Sequence, residues 1–508
     1  MSVTWDRETD VIIAGYGLSG AVAAIEASDA GAEVIILEKS QFPGGLSILA
    51  GGSILCVSDP ESAAGYLAHL SGGRIDENLI APFARGLSEI EPYMRKLAEV
   101  NGGKVTASKS TIPGGIGEGL YPFPGQEAFY RIRVTEIPGF TGFTWVQHLR
   151  MAALNMMKVV MDNVDKRNVP CLFSTAATRL VRDSAGKITG LKAVQDGKEI
   201  TVRARRGIIL ATGGFEQNRW MQMQFLQGKP FYAMAPLTHT GDGIVMAQDV
   251  GADLWHMWHV HGSYGLKFPE FPIAFRTPFS GPRNPKRRMP WIVVDKFGRR
   301  YMNEYQPGPQ DTMHRAMEIY DPDLPGYARI PSYLIFDETG RAWGPLGEPL
   351  AIGGTLYNWS KDNSDELNKG WILRGDTLAE LARALAERED NEGRMEGKRL
   401  EKTVAEWNEV VKSGEDDFHR PPGTMMPIES PPFYACPVWP IITNTQGGPV
   451  HNVKQQIVDV YKSPIPRLYA CGELGSFFAH LYQLGGNIGE CVYSGRVAGV
   501  NAAAEKPL

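Results

Sequence analysis

The sequence predicts an α/β protein whose parallel-sheet domain is interrupted by an inserted α+β unit. Three observations carry that reading. First, a short apolar run (DVIIAG, 10–15), a small-residue segment (LSGAVAAIEASDAG, 18–31) and a second apolar run (AEVIILEKS, 32–40) form a strand–helix–strand unit. Second, after GDGIVMAQDVGADL (241–254) the texture changes: residues 260–430 are rich in Pro, Trp, Arg and His and show no strand–helix alternation. Third, RLYACGEL (467–474) resumes the buried-strand pattern, and a final helix follows from about Asn487. The expected division is 1–259 and 431–508 as two parts of one discontinuous domain, with 260–430 inserted.

The remaining elements follow from periodicity. Val146, Leu149, Ala153, Met156 and Val160 fall at helical spacing and predict a core-facing helix over 144–166. ATRLVRDSAGKITGLKAV (177–194) and GKEITVRARRG (197–207) alternate around glycine turns and read as antiparallel hairpins appended to the main sheet. GIILATGG (207–214) reads as a buried strand running into a glycine turn, and charged helices are expected near 376–389 and 397–412.

The totals exclude several classes. The chain has 508 residues, is 43% apolar and 21% charged, and carries a net charge of −5, a soluble composition with no basic excess for nucleic acid. The one basic run, RNPKRR (283–288), reads as a solvated loop. Five scattered cysteines form no C-x-x-C pair, which argues against a disulfide framework or a zinc site, and no metal is expected. The N-terminal segment carries acids before its apolar run, unlike a signal peptide, and no apolar run is long enough to span a membrane. A cytoplasmic protein is expected.

GYGLSG places glycines at 15, 17 and 20 between the first strand and helix, and the acid Glu38 ends the next strand. That context is the dinucleotide-binding fingerprint. Gly15 permits the tight turn, Gly17 admits the pyrophosphate, and Gly20 lets helix and strand pack closely; Glu38 is placed to accept from ribose hydroxyls. GGIGEG (114–119) follows STIP rather than a strand and is rejected as a second site. One nucleotide site with several distant glycine clusters suits a long cofactor, FAD rather than NAD.

GGLSILAGG (44–52), GIILATGGFEQN (207–218), GDG (241–243) and LYACGELGSFFAHLYQLGGNIGECVYSGRVAG (468–499) resemble, in order, the flavoprotein family of soluble fumarate reductases and 3-ketosteroid dehydrogenases. The resemblance implies a discontinuous, Rossmann-like FAD-binding domain with an inserted α+β capping domain over the flavin. It implies FAD contacts at Gly15, Gly17, Ser19, Gly20, Glu38, Lys39, Gly45, Ser47, Gly51 and Gly52, then at Ala177, Thr212, Gly213 and Asp242. At the C-terminal end it implies Glu473, Asn487 and Ile488. The family's covalent attachment site is not assignable here, so noncovalent FAD is expected.

Fumarate reductases anchor a dicarboxylate with residues this chain replaces by Gln483, Asn444 and, without a gap, Gly308. Loss of these charge-assisted bonds disfavours fumarate. The ketosteroid dehydrogenases carry a tyrosine four residues before a glycine in this loop, matched by Tyr482 and Gly486. The phenol and the Gly486 N–H would hold a ketone oxygen as it gains enolate charge. Tyr305 and Tyr121 are the candidate base and supporting tyrosine, though Tyr305 does not stand at the usual offset. Leu484 replaces a serine used by enzymes acting at the steroid ring junction. His261, Tyr264 and His314 are alternative acid–base groups, with a structural role competing for each. Trp255, Trp258, Phe268 and Phe271 are candidate apolar lining, and Arg276, Arg283 and Arg287 leave open a carboxylate-bearing substrate. The expected activity is desaturation beside the carbonyl of a cyclic ketone, a 3-oxosteroid or a cyclohexanone-like ring, with a separate electron acceptor. The alternative is an enone or enoate reductase.

Overall fold

The computed structural model describes residues 4–108, 120–146, 150–277, 288–305, 313–352 and 355–508. Leu149, the 114–119 glycine cluster, Arg283, Arg287 and Gly308 lie outside them. In chain order, β1 (Arg7–Ala14), α1 (Leu18–Asp29) and β2 (Val34–Leu37) come first. Next are α2 (Met151–Lys166), β3 (Lys198–Leu210), β4 (Val260–Leu266) and β5 (Phe433–Thr445). β6 (Pro464–Ala470) and α3 (Gly486–Ala503) follow.

The protein is a mixed α/β structure containing a parallel sheet. β2, β1, β3 and β6 lie side by side and parallel, with Ile12 opposite both Ile35 and Ile208, and Leu468 also opposite Ile208. Val11, Ile12, Ile13 and Ile36 are fully buried, as continuous apolar strands covered on both faces must be. α1 packs against α3 through α3's glycines. A Cβ on Gly495 or Gly499 would stand 2.6 Å from Ser19 O or 2.5 Å from Ala23 O, so only glycine admits this approach.

Two expectations change. The helix expected from 144 begins at Met151, because Arg150 stands before it in non-helical backbone (φ −111°, ψ 85°), and Val146 lies outside it. The hairpin arm and the buried strand expected near 207 are one strand, β3. Its outer half pairs antiparallel with Ile188–Gln195, while its inner half lies between β1 and β6. The charged helices form at Leu378–Ala386 and Gly397–Ser413.

A second sheet is organised around β5. β4, Ser332–Asp337 and Leu373–Gly375 pair antiparallel with it, and Tyr232–Ala233 pairs parallel. Phe433–Thr445, counted with the C-terminal part of the first domain in the sequence reading, thus supplies the central strand of this sheet. All five cysteines are free thiols. Among the described residues, no helix is long and apolar enough to cross a membrane.

Candidate functional site

At the C-terminal ends of β1, β2 and β3 the chain forms a cleft, the usual ligand position on such a sheet. Gly15, Gly17, Ser19, Glu38, Lys39, Gly45 and Ser47 line it from the N-terminal part of the chain. Ala177, Thr212, Gly213, Asp242 and Glu473 complete the expected set there. The glycines differ in what they do. Gly15 has φ +108°, and a Cβ on it would stand 2.3 Å from Ala211 O; a Cβ on Gly20 would stand 2.1 Å from Gly15 O. These two permit the strand–turn–helix itself. A Cβ on Gly17 or Gly45 would meet nothing nearer than 3.8 or 3.7 Å and would take up cleft space instead.

Charged residues at the cleft are already engaged. Both Glu38 carboxylate oxygens accept backbone N–H groups, from Tyr16 at 2.7 Å and from Ser40 at 2.7 Å. Burial still raises its pKa above the usual carboxylate range against the pull of those amides. Lys39 Nζ lies 2.9 Å from Asp242 Oδ2 and donates to Thr240 Oγ1 at 2.6 Å. Thr212 Oγ1, in contrast, is buried without a hydrogen-bond partner among the described residues. An orphaned hydroxyl in a glycine-lined cleft fits a polar, phosphate-bearing cofactor.

Five expected cofactor residues sit elsewhere. Gly20 is buried inside α1. Gly51 is exposed, and Gly52 (φ +70°) lies against the first turn of α2, where a Cβ would stand 2.3 Å from Ala153 N. Asn487 and Ile488 are buried in the first turn of α3, with Asn487 Nδ2 donating to Gln446 Oε1 at 2.9 Å.

Sequence reasoning missed a buried group at the cleft floor. Glu216, His239 and Glu473 are all buried, with His239 Nδ1 3.2 Å from Glu216 Oε2 and 4.0 Å from Glu473 Oε2. The Thr445 N–H donates to one oxygen of each carboxyl, at 2.9 and 3.0 Å. Two like charges so close cannot both ionise. Burial raises both carboxyls. For Glu216 the bond from Glu473 and the His239 charge reverse this and hold it ionised, while Glu473 is pushed up and keeps its proton.

The loop before α3 forms the second half of the site. Tyr482 is buried, with the His261 ring 4.1 Å away between centroids and Phe478 edge-on at 5.4 Å. Burial pushes the phenol pKa up to about 12, although the N–H groups of Gly485 and Asn487 donate to its oxygen and Arg131 and Arg276 lie near enough to lower it. The Gly486 N–H, expected to face a ligand beside the phenol, instead donates to the Gln483 carbonyl at 2.9 Å, because the chain turns sharply there with Gly485 at φ +83°. Gln483 is fully buried, and neither amide atom has a partner among the described residues. His261 Nδ1 lies 3.1 Å from Asn444 Oδ1.

The other aromatic candidates are dispersed. Tyr121 stacks on Phe123 at 5.5 Å against the first core, whereas Tyr305 is buried in the core of the second sheet. Tyr264 donates to the Glu304 carbonyl at 3.3 Å, and His314 pairs with Glu318. Phe268 belongs to the second core, and Trp258 lies under the guanidiniums of Arg74 and Arg315. Trp255 packs beside His256. Phe271 lines an apolar cavity of about 320 Å³ with Pro272 and Ile273, opposite Phe42, Gly45 and Ile48.

Comparison with known proteins places this geometry. The chain is 26% identical to a urocanate reductase of Eggerthella lenta, covering 98% of this chain and 75% of that protein. It is 26% identical to a 3-oxosteroid 1-dehydrogenase of Mycolicibacterium smegmatis, covering 98% of each. It is 25% identical to a 4-oxocyclohexanecarboxylate 2-dehydrogenase of Sinomonas cyclohexanicum, covering 98% and 93%. The crystal structure of 3-ketosteroid delta1-dehydrogenase from Sterolibacterium denitrificans shares the fold, with a TM-score of 0.78 at 21% identity over 98% of this chain and 100% of that one. The profile of the family described as FAD binding domain matches residues 10–488, and the chain belongs to that family as an FAD-dependent oxidoreductase.

Proposed function

We propose that the protein is a dehydrogenase that introduces a C=C bond beside the carbonyl of a cyclic ketone, either a 3-oxosteroid or a cyclohexanone-like ring. The observation that carries this reading is Tyr482: a buried phenol whose oxygen accepts two backbone N–H groups and whose ring packs on His261. Burial keeps the hydroxyl protonated at ordinary pH, and the amides donating to its oxygen strengthen its own O–H as a donor. Such a group stabilises an oxygen that gains charge as the α-proton leaves. Gln483 and Asn444, standing where the fumarate-type enzymes carry charged anchors, support a ketone over a dicarboxylate.

On this reading Gly17, Gly45, Thr212 and Gly213 hold FAD noncovalently along the cleft, with Ser19, Ser47, Ala177 and the Lys39–Asp242 pair at its walls. Bound FAD supplies the acceptor for the hydride that leaves the β-carbon. Tyr482 polarises the ketone; Tyr305 is the candidate base for the α-proton, with Tyr121 as a supporting tyrosine. The Gly486 N–H joins Tyr482 only if the turn at Gln483 opens on binding. Residues 1–259 and 431–508 form the Rossmann-like FAD-binding domain and 260–430 the cap, with boundary strands shared. The cavity between Phe42 and Phe271, within the size range of ligand pockets, is the cap's seam with that domain. Electrons then pass to a separate acceptor.

Anaerobic mixing of oxidised holoprotein with saturated cyclic ketones tests this. Bleaching of the visible flavin band by one ketone, lost in Tyr482→Phe, is the expected result. The similarity to a urocanate reductase supports the reverse chemistry as a second reading. Absence of bleaching by any ketone, with reoxidation of chemically reduced protein by an enone or enoate, would establish that reading instead.

A further inference from the structure

The wall around Tyr482 carries more positive charge than a neutral ketone uses. Arg276, on the short strand Phe275–Arg276 beside β4, donates through Nη2 to Thr443 Oγ1 at 3.0 Å. Thr443 adjoins Asn444, which bonds the His261 that packs tilted against Tyr482. Arg276 Nε is buried with no partner, and among the described residues no carboxylate pairs with this guanidinium. Its nearest acid, Glu348, faces Arg150 at 3.5 Å. The Glu348 backbone N–H donates to the Arg276 carbonyl at 2.7 Å and the Glu348 charge acts on the guanidinium, but no salt bridge joins the two among the described residues. Arg131, buried and donating through Nε to the Leu484 carbonyl at 3.1 Å, adds a further positive charge near the phenol. Beside Tyr482, both side-chain polar atoms of Gln483 are buried and unpartnered.

A buried donor left unmade costs about 1–3 kcal/mol, more when charged. A ketone oxygen can accept a second hydrogen bond beside the phenol's, but as a neutral group it brings no negative charge to a buried guanidinium. We propose that the substrate is a compact cyclic ketone bearing a carboxylate, and that Arg276 is the residue that selects it by binding that carboxylate. This rests on the dehydrogenase reading above and narrows it. The carboxylate supplies two acceptor oxygens for the Nε–H and Nη–H of the guanidinium fork, the geometry for which arginine is suited.

The test uses the FAD-loaded enzyme under anaerobic conditions with cyclohexanones carrying a carboxylate at C3 or C4, their methyl esters, unsubstituted cyclohexanone and a 3-oxosteroid. The expected result is that the free acid bleaches the flavin at a concentration roughly 10- to 100-fold lower than its ester. Arg276→Gln should abolish that preference, weakening the response to the acid far more than the response to the ester, and Arg276→Lys should restore part of it. Equal response to acid and ester in the unaltered protein would overturn the proposal, even if Arg276→Gln failed to fold. So would an acid preference that survives in Arg276→Gln. A separate arm titrates cyclohexanecarboxylate, which has no ketone, and follows the flavin difference spectrum. A perturbation present in the unaltered protein and lost in Arg276→Gln supports the anchor even if no ketone bleaches the flavin, an outcome that would sink the dehydrogenase reading alone. No perturbation, with ketones bleaching regardless of charge, leaves that reading standing and removes the anchor.

Discussion

In the cleft at the end of β1, the backbone does the recognising: Gly15 turns the chain at φ +108°, Gly17 and Gly45 leave room, and Glu38 is spent on the amides of Tyr16 and Ser40. On the proposed reading side chains do it around Tyr482: a phenol, a histidine ring and, among the described residues, a buried amide without partners and an arginine without a paired carboxylate. The first region is anchored on one local strand–turn–helix, although residues as distant as Thr212, Asp242 and Glu473 complete its lining. The second is assembled from β4, β5, the Phe275–Arg276 strand and the loop before α3, which are far apart in the chain.

Breaking the second region should have the largest effect. Tyr482→Phe removes one donor to the developing oxyanion and should slow anaerobic flavin bleaching by roughly 100- to 1000-fold with little change in thermal stability. A mutant that bleached at the unaltered rate would reduce Tyr482 to packing. Breaking the first region should act through the fold instead. Gly15→Ala drives a Cβ to within 2.3 Å of Ala211 O at a positive φ and should destabilise the protein by roughly 3 kcal/mol, with loss of bound flavin. Gly17→Ala should fold normally and only weaken FAD binding, since its Cβ meets nothing nearer than 3.8 Å. Thermal melting together with the ratio of flavin to protein absorbance separates the two.

The joint between the regions should respond to pH. Glu490, in α3, accepts from Ser476 Oγ at 2.6 Å and from the Phe477 N–H, and burial raises its pKa to about 8. A carboxyl whose pKa is higher folded than unfolded favours the folded state below its unfolded pKa, and that advantage is lost as pH rises through the folded value. Tm should therefore fall by several degrees between about pH 5 and 8.5, and Glu490→Gln should flatten the decline. A profile unchanged by the substitution would place the titration elsewhere. The smallest effect is expected at Thr212→Val. Apoprotein stability should hold or rise slightly, because an unpartnered buried hydroxyl is removed. FAD affinity should drop by roughly 2- to 10-fold, read by flavin fluorescence on titration.

Legibility in the sequence follows the same division. The glycines of GYGLSG, the acid at the end of β2 and the C-terminal glycine helix could be read because the geometry they serve lies within a few residues. The same reasoning misjudged Gly52, whose positive φ and close approach serve the packing of α2, and Gly486, whose N–H is consumed by its own turn. A glycine records that space or conformation is needed without recording for what. The Glu216–His239–Glu473 group left no local signal, since the residues that force two carboxyls to share Thr445 come from three loops and a strand of the other sheet.

Read alone, the chain was enough to establish the strand–helix–strand start, the flavin family and the change of texture near residue 260, because period and glycine spacing are short-range properties of a polymer. It did not hold the start of α2, the fusion of two expected strands into β3, or the place of β5 at the centre of the second sheet. It also did not reveal that Arg276 stands near Tyr482 with no salt-bridged acid among the described residues. Those depend on which distant segments pack together, and the charge balance of a buried site exists only once they have.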